Sequence, residues 1–201
     1  MQHFGIDTPM TACHDHNERD KGELLVQRLL AGDDVALISD AGTPLISDPG
    51  YVLVREARSR GLKVSPIPGA WALVGALSAA GLTTDRFLFV GFLPAKRSGR
   101  RAALEQQVRE TATLVFYESP HRILDAVRDI AAVFGEEREI VLGRELTKTF
   151  ETFYSGTVAE VQASLEADPH GTTGEFAVMI HGAEAVPSGG DPGAWAVGRL
   201  L

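Results

Sequence analysis

The run Val35-Ala36-Leu37-Ile38-Ser39, ended by Asp40-Ala41-Gly42-Thr43-Pro44, restricts the fold of this chain more than any other feature. A compact uncharged run stopped by turn-forming residues reads as a buried strand entering a tight loop. Tyr51 to Arg60 follows with Val52, Leu53 and Ala57 on one side and charged residues elsewhere, and Gly61 closes it as a helix stop. The cycle then repeats, with a strand at Leu62–Ile67, a turn at Pro68-Gly69, a nearly charge-free helix at Ala70–Ala80 and a strand at Arg86–Val90. Strand–helix–strand alternation predicts βαβ units with right-handed crossovers and a largely parallel sheet.

A second block begins near Thr111. Strands are predicted at Thr113–Tyr117, Glu139–Gly143 and Phe176–His181, with an edge strand at Thr149–Tyr154. Helices are predicted at Pro120–Phe134 and Val158–Leu165, besides one at Lys21–Ala31 near the start. The segment Leu93–Arg101 is rich in Pro, Gly and basic residues, which is linker chemistry. The expected organisation is an N-terminal α/β domain over 1–95, a basic linker or helix over 96–110, a C-terminal α/β domain over 111–183 and a linker-like tail over 184–201. Both ends look cut, because no strand precedes the first helix and the last residues form no further element.

A composition of 44% hydrophobic and 23% charged residues is that of an ordinary globular protein. The formal charge of −8 repels phosphate, so any nucleic-acid contact must come from a local basic patch. Cys13 is the sole cysteine, which excludes an internal disulfide and suits a reducing compartment. No leader-like segment opens the chain and no apolar run approaches the ~20 residues of a membrane helix. A soluble, cytoplasmic protein without membrane contact is expected.

Three loops carry the chemical signal. Ser39 to Gly50 follows a strand, where open α/β sheets place ligands, and its small residues let a ligand approach the backbone. It is neither a dinucleotide fingerprint nor a P-loop, and taken alone it could be a plain turn. Pro68-Gly69-Ala70-Trp71-Ala72 opens a helix at a second strand end, and Val115-Phe116-Tyr117-Glu118-Ser119-Pro120-His121-Arg122 leaves a third.

Asp-Ala-Gly-Thr-Pro (40–44), Phe-Tyr-Glu-Ser-Pro-His-Arg (116–122) and Arg-Glu-Leu-Thr-Lys (144–148), in this order, resemble the RsmI family. His14-Asp15-His16-Asn17-Glu18, Gly91-Phe92-Leu93-Pro94-Ala95-Lys96 and Gly174-Glu175-Phe176 fit the same family, so the resemblance runs from Met1 to about Gly182. These are cytidine 2′-O-methyltransferases of 16S ribosomal RNA within the tetrapyrrole methylase superfamily. The resemblance implies two α/β domains with S-adenosyl-L-methionine in the cleft between them, and a homodimer acting on the small ribosomal subunit. It places the cofactor on Asp40, Ala41, Gly42, Thr43, Ile46, Trp71, Ala72, Glu118 and Leu146. The family's opening strand and its Thr-Pro-Ile-Gly loop have no counterpart here, so the first strand of the N-terminal domain is expected to be missing.

Ribose methylation requires a hydroxyl held about 3 Å from the methyl group and a proton acceptor. Glu118, His121, Glu145 and Lys148 are the candidate acceptors at strand ends, and for each a structural salt bridge or a solvated position is the reading that comes first. Lys96, Arg97, Arg100 and Arg101 form a basic run able to grip RNA phosphates. His14 and His16 beside Cys13 lack the ligand count of a zinc site, so no metal is expected. Two other readings compete: a small-molecule methyltransferase of the same superfamily, and an inactive fragment lacking the complete cofactor pocket. The apolar Ala70–Ala80 helix could serve as core or as subunit interface.

Overall fold

One sheet with a different apolar cluster on each face organises the protein. The computed structural model describes residues 2–13 and 18–184, so His14 to Asn17 and the tail from 185 lie outside the described residues. The first part holds α1 (Glu18–Leu30), α2 (Tyr51–Ser59) and α3 (Ala72–Ala80). Then come β1 (Phe87–Phe92), α4 (Arg97–Glu105), β2 (Thr113–Glu118) and α5 (Ile123–Phe134). The chain continues through β3 (Glu139–Arg144), β4 (Thr152–Thr157), α6 (Val158–Ala167) and β5 (Phe176–Ile180).

The strands form a mixed sheet in the order β1-β2-β5-β3-β4. Only the β1–β2 pairing is parallel, and the other three are antiparallel. This corrects the expectation of a largely parallel sheet. Val35–Ser39 and Leu62–Ile67 pair with no strand among the described residues. Val35 and Leu62 instead pack against Leu25, Val26 and Leu53 of the α1–α2 pair. Their opposite sides stay open, leaving Ile38 and Ile67 60% and 84% exposed. A strand exists only through its partners' N–H and C=O groups, which local apolarity cannot supply. The other predicted strands and all the predicted helices form, with ends shifted by a few residues.

Pleating sends alternate side chains to opposite faces. Leu114, Phe116, Ile140, Leu142, Val178 and Ile180 point one way, into a core closed by Leu104 of α4, Ile123, Val127 and Ile130 of α5, and Val161 and Leu165 of α6. Val115, Val141, Ala177 and Met179 point the other way and meet Leu73, Ala76 and Leu77 of α3. Helix α3 is therefore core packing, although Val74 on its outer side is 52% exposed. Each fully buried Ile or Leu here contributes about 2–5 kcal/mol against replacement by Ala.

Two local features affect the site. The segment read as a basic linker or helix forms α4 from Arg97, with Arg100 and Leu104 buried. Strand β1, expected in the first block, instead hydrogen-bonds to β2 of the second.

Candidate functional site

The loop from Ser39 to Gly50 is braced internally. The Ser39 hydroxyl donates to the Ala41 carbonyl at 2.6 Å and lies 2.8 Å from an Asp48 carboxylate oxygen. Leu45 and Ser47 both hold positive φ, 72° and 60°, a conformation costly for residues with a Cβ. The Thr43 hydroxyl donates to the Ala70 carbonyl at 3.1 Å, tying this loop to the one that opens α3. Asp40, Ala41 and Gly42 remain exposed, while Thr43 and Ile46 are half-buried.

Trp71, the residue before α3, has no capping side-chain bond of its own. The cap arrives from β2, where the Tyr117 hydroxyl accepts from the Leu73 N–H at 3.1 Å. Burial raises the Tyr117 pKa, and the Leu73 amide and the Trp71 indole partly offset that rise. An aromatic chain runs from here across the sheet, with ring centroids 6.2 Å apart for Trp71–Phe89, 5.0 Å for Phe89–Tyr117 and 5.7 Å for Phe92–Tyr117.

The turn between β3 and β4 closes the same face. Glu145 and Thr147 have φ of 52° and 66°, on either side of Leu146. Leu146 packs with Trp71, Tyr117 and Phe153 against the α3 cluster. It also covers Gly143 so closely that a Cβ there would lie 2.9 Å from a Leu146 methyl. Below it, Glu145 accepts from Lys148 at 2.9 Å and from the Glu175 amide at 2.9 Å, and Lys148 also reaches the Glu175 carboxylate at 3.1 Å. Gly174 (φ 81°) permits this approach, because a Cβ at that position would collide with the Glu145 side chain. The Lys148 ammonium, then the Glu175 amide, holds the Glu145 carboxyl below its usual range, and the Glu145 carboxylate raises Lys148. Lys148 is thus a cation at neutral pH and has no free lone pair to accept a proton.

Glu118 behaves differently. It lies two residues along β2 from Phe116 and shares that residue's face, away from Trp71, Tyr117 and Leu146. Its carboxylate is fully buried and binds Arg122 at 2.7 Å and the Ser119 amide at 2.7 Å. This side chain is an ion-pair member turned away from the aromatic face, which removes it from the groups able to accept a proton there. Only its backbone, at the strand end, borders the converging loops. His121 is exposed at the turn before α5.

The basic run also divides. Arg100 is 3% exposed and forms a charge-assisted pair with buried Asp129 at 2.7 Å. The expectation that it grips RNA is corrected, because its guanidinium pins α4 to α5. Arg97 shares Asp129 at 3.1 Å from an exposed position, Lys96 is exposed and Arg101 is half-buried.

Thus Thr43, Trp71 and Leu146 converge on one face, whereas the side chains of Glu118 and Arg100 do not join them. Tyr117, Phe89, Phe92 and Ser47 were not singled out from the sequence. The alternation Val115, Tyr117 against Leu114, Phe116, Glu118 carried the signal for Tyr117.

The pattern defining the Tetrapyrrole (Corrin/Porphyrin) Methylases matches residues 2–162. The chain belongs to the tetrapyrrole methylase family. It is 55% identical over 185 residues to the Ribosomal RNA small subunit methyltransferase I of Pseudomonas aeruginosa, covering 92% of this chain and 66% of that protein. Identity is 52% over 182 residues to the protein of the same name from Haemophilus influenzae, covering 90% and 64%. The chain thus spans about two thirds of the length of these curated relatives. Among solved structures, Uroporphyrin-III C-methyl transferase from Thermus thermophilus complexed with S-adenyl homocysteine superposes with a TM-score of 0.54 at 17% identity, covering 81% of this chain and 73% of that one. That likeness establishes the shared fold. Among the described residues, no helix is long and apolar enough to cross a membrane.

Proposed function

We propose that this protein methylates the 2′-hydroxyl of a cytidine ribose in 16S ribosomal RNA of the small subunit, with S-adenosyl-L-methionine as donor. The observation that carries the reading is the 55% identity over 185 residues to a protein named for this ribosomal RNA activity. The site fits the donor. Exposed small residues at Ala41, Gly42 and Ala72 leave room for a nucleoside, and the apolar wall of Trp71 and Leu146 suits a ring and a thioether-like chain. When bound, the donor supplies an electrophilic methyl on a sulfonium centre.

The chain's own residues orient and deprotonate the acceptor. Lys148 is a fixed cation beside Glu145 at the strand ends, able to steer an anionic backbone. Glu145 and His121 remain the groups chemically able to accept the ribose proton. Lys96, Arg97 and Arg101 face the phosphates, with Arg100 as the buried support beneath them. A homodimer working in the cytoplasm completes the proposal, and sedimentation of the purified chain tests its assembly.

The function is tested by transfer of labelled methyl from S-adenosylmethionine to unmodified small ribosomal subunits and, in parallel, to a porphyrinoid. Transfer to the subunit alone supports the proposal, and transfer to the porphyrinoid alone overturns it.

A further inference from the structure

We propose that Phe92 is a stacking platform for an unpaired base of the RNA substrate. This rests on the RNA reading above and adds a subsite to it. Strand β1 begins in register with β2, with Phe87 opposite Thr113 and Phe89 opposite Val115. An irregularity then inserts one residue, so that Gly91 faces Phe116 and Phe92 faces Tyr117. Gly91 makes this possible with a φ of 79°, and the Ser47 hydroxyl of the first candidate loop would stand in ordinary contact with a Cβ there, 3.7 Å away.

The consequence is a change of face. Three residues beyond Phe89, an unbroken strand would send Phe92 to the opposite side of the sheet. The bulge restores it to the side of Phe89, Tyr117 and Trp71, where its ring meets Tyr117 edge-on at 5.7 Å. Tyr117 is itself fixed by the Leu73 amide. Phe92 is thus a ring held from behind and open in front, with 56% of its surface exposed at the strand end where the loops converge.

Water is a poor partner for a pinned aromatic face, and a nucleobase is a good one. Lys96 follows four residues later with Arg97 next to it; both are exposed, Arg97 while paired with Asp129 at 3.1 Å, and they supply the positive charge that phosphates flanking a stacked base would meet. An apolar protein partner would gain nothing from those cations. A base lifted from its helix also suits a reaction at its ribose, because the sugar must leave the duplex backbone to meet the methyl donor.

The test compares Phe92→Ala, Phe92→Leu and Phe92→Trp in the whole chain by three measurements: binding of a short labelled single-stranded RNA, binding of the same sequence as a duplex, and calorimetric binding of S-adenosylhomocysteine. Both Phe92→Ala and Phe92→Leu should weaken single-strand binding about tenfold. Phe92→Trp should retain it, and duplex and S-adenosylhomocysteine affinities should not move. Full retention by Leu would reduce the ring to an apolar contact, and retention by Ala would remove the subsite; either overturns the proposal. A parallel loss of S-adenosylhomocysteine affinity also overturns it, by assigning Phe92 to the cofactor. If the parent chain binds S-adenosylhomocysteine but no RNA, the RNA reading itself falls. Circular dichroism distinguishes each of these outcomes from misfolding, and the Trp and Leu variants keep the comparison intact should Ala fail to fold.

Discussion

The Tyr117 hydroxyl accepts the Leu73 N–H at 3.1 Å, so a strand of the second block caps a helix of the first. Helix α3 has no capping side chain next to it in sequence, and this long-range bond satisfies one of the amides its first turn would otherwise leave free. The same bond fixes the loop carrying Trp71 against the sheet. Disturbing Tyr117 should therefore change both stability and ligand binding.

Tyr117→Phe keeps the ring stack and removes only the hydroxyl. The expected cost is about 1 kcal/mol of stability, with weaker S-adenosylhomocysteine binding and unchanged RNA affinity. Urea denaturation and calorimetry check this pair of effects, and unchanged values in both would show that the cap does not position the loop.

Asp129 is 1% exposed and takes both Arg97 and Arg100. Asp129→Ala strands the buried Arg100 charge and should cost about 3–5 kcal/mol. Replacing Arg100 with Met at the same time should recover much of that loss. By contrast, Lys96→Glu with Arg101→Glu should lower RNA affinity while leaving the melting temperature within a few degrees. An RNA defect in a folded Arg100→Met protein equal to that of the Lys96/Arg101 variant would return Arg100 to the phosphate-binding set.

Tyr154 reports on the pH limit of the fold. Desolvation first, then its bond to Asp168, raises its pKa from 10.0 to about 12. Arg144, 6% exposed, stands over the ring and reaches Asp168 and Thr152. A neutral phenol favoured by folding contributes stability that is fully present below its unfolded pKa of 10.0 and is lost as pH rises towards about 12. Alkaline unfolding across that window should flatten in Tyr154→Phe. Followed by circular dichroism, an identical pH slope in both proteins would exclude Tyr154 as the group responsible.

Gly174→Ala adds one methyl group where φ is 81° and the Glu145 side chain already sits. Glu145 must move, breaking its contacts with Lys148 and the Glu175 amide. The expected result is a loss of about 1–3 kcal/mol and a sharp fall in methyl transfer. Methyl transfer at the parent rate from a folded variant would show that this cluster lies outside the reaction.

Much of the second block was legible from local pattern. Ile123, Val127 and Ile130 recur at helical spacing and do bury one face of α5, and the apolar runs at 113–117, 139–143 and 176–181 do pair as strands. The site was legible as loops: Thr43 touches Ala70, and Trp71 and Leu146 share one cluster. It was not legible as side chains. Arg100 had the right chemistry for a phosphate grip but found a buried partner, Asp129, far away in sequence, and Glu118 pairs with Arg122 inside its own motif on a strand face that packing buries.

By itself, then, the amino-acid order determined where helices and turns fall, which residue types gather at strand ends, and to which family the chain belongs. These are local properties, set by spacing, by backbone freedom at Gly and Pro, and by motifs a few residues long. Only the tertiary structure decided that Val35–Ser39 pairs with no strand among the described residues and that a bulge at Gly91 returns Phe92 to the side of Tyr117. The physical reason is common to both. A strand's existence, its register and the face each side chain takes are fixed by hydrogen bonds to chain segments far away in sequence, and those bonds exist only once the sheet has formed.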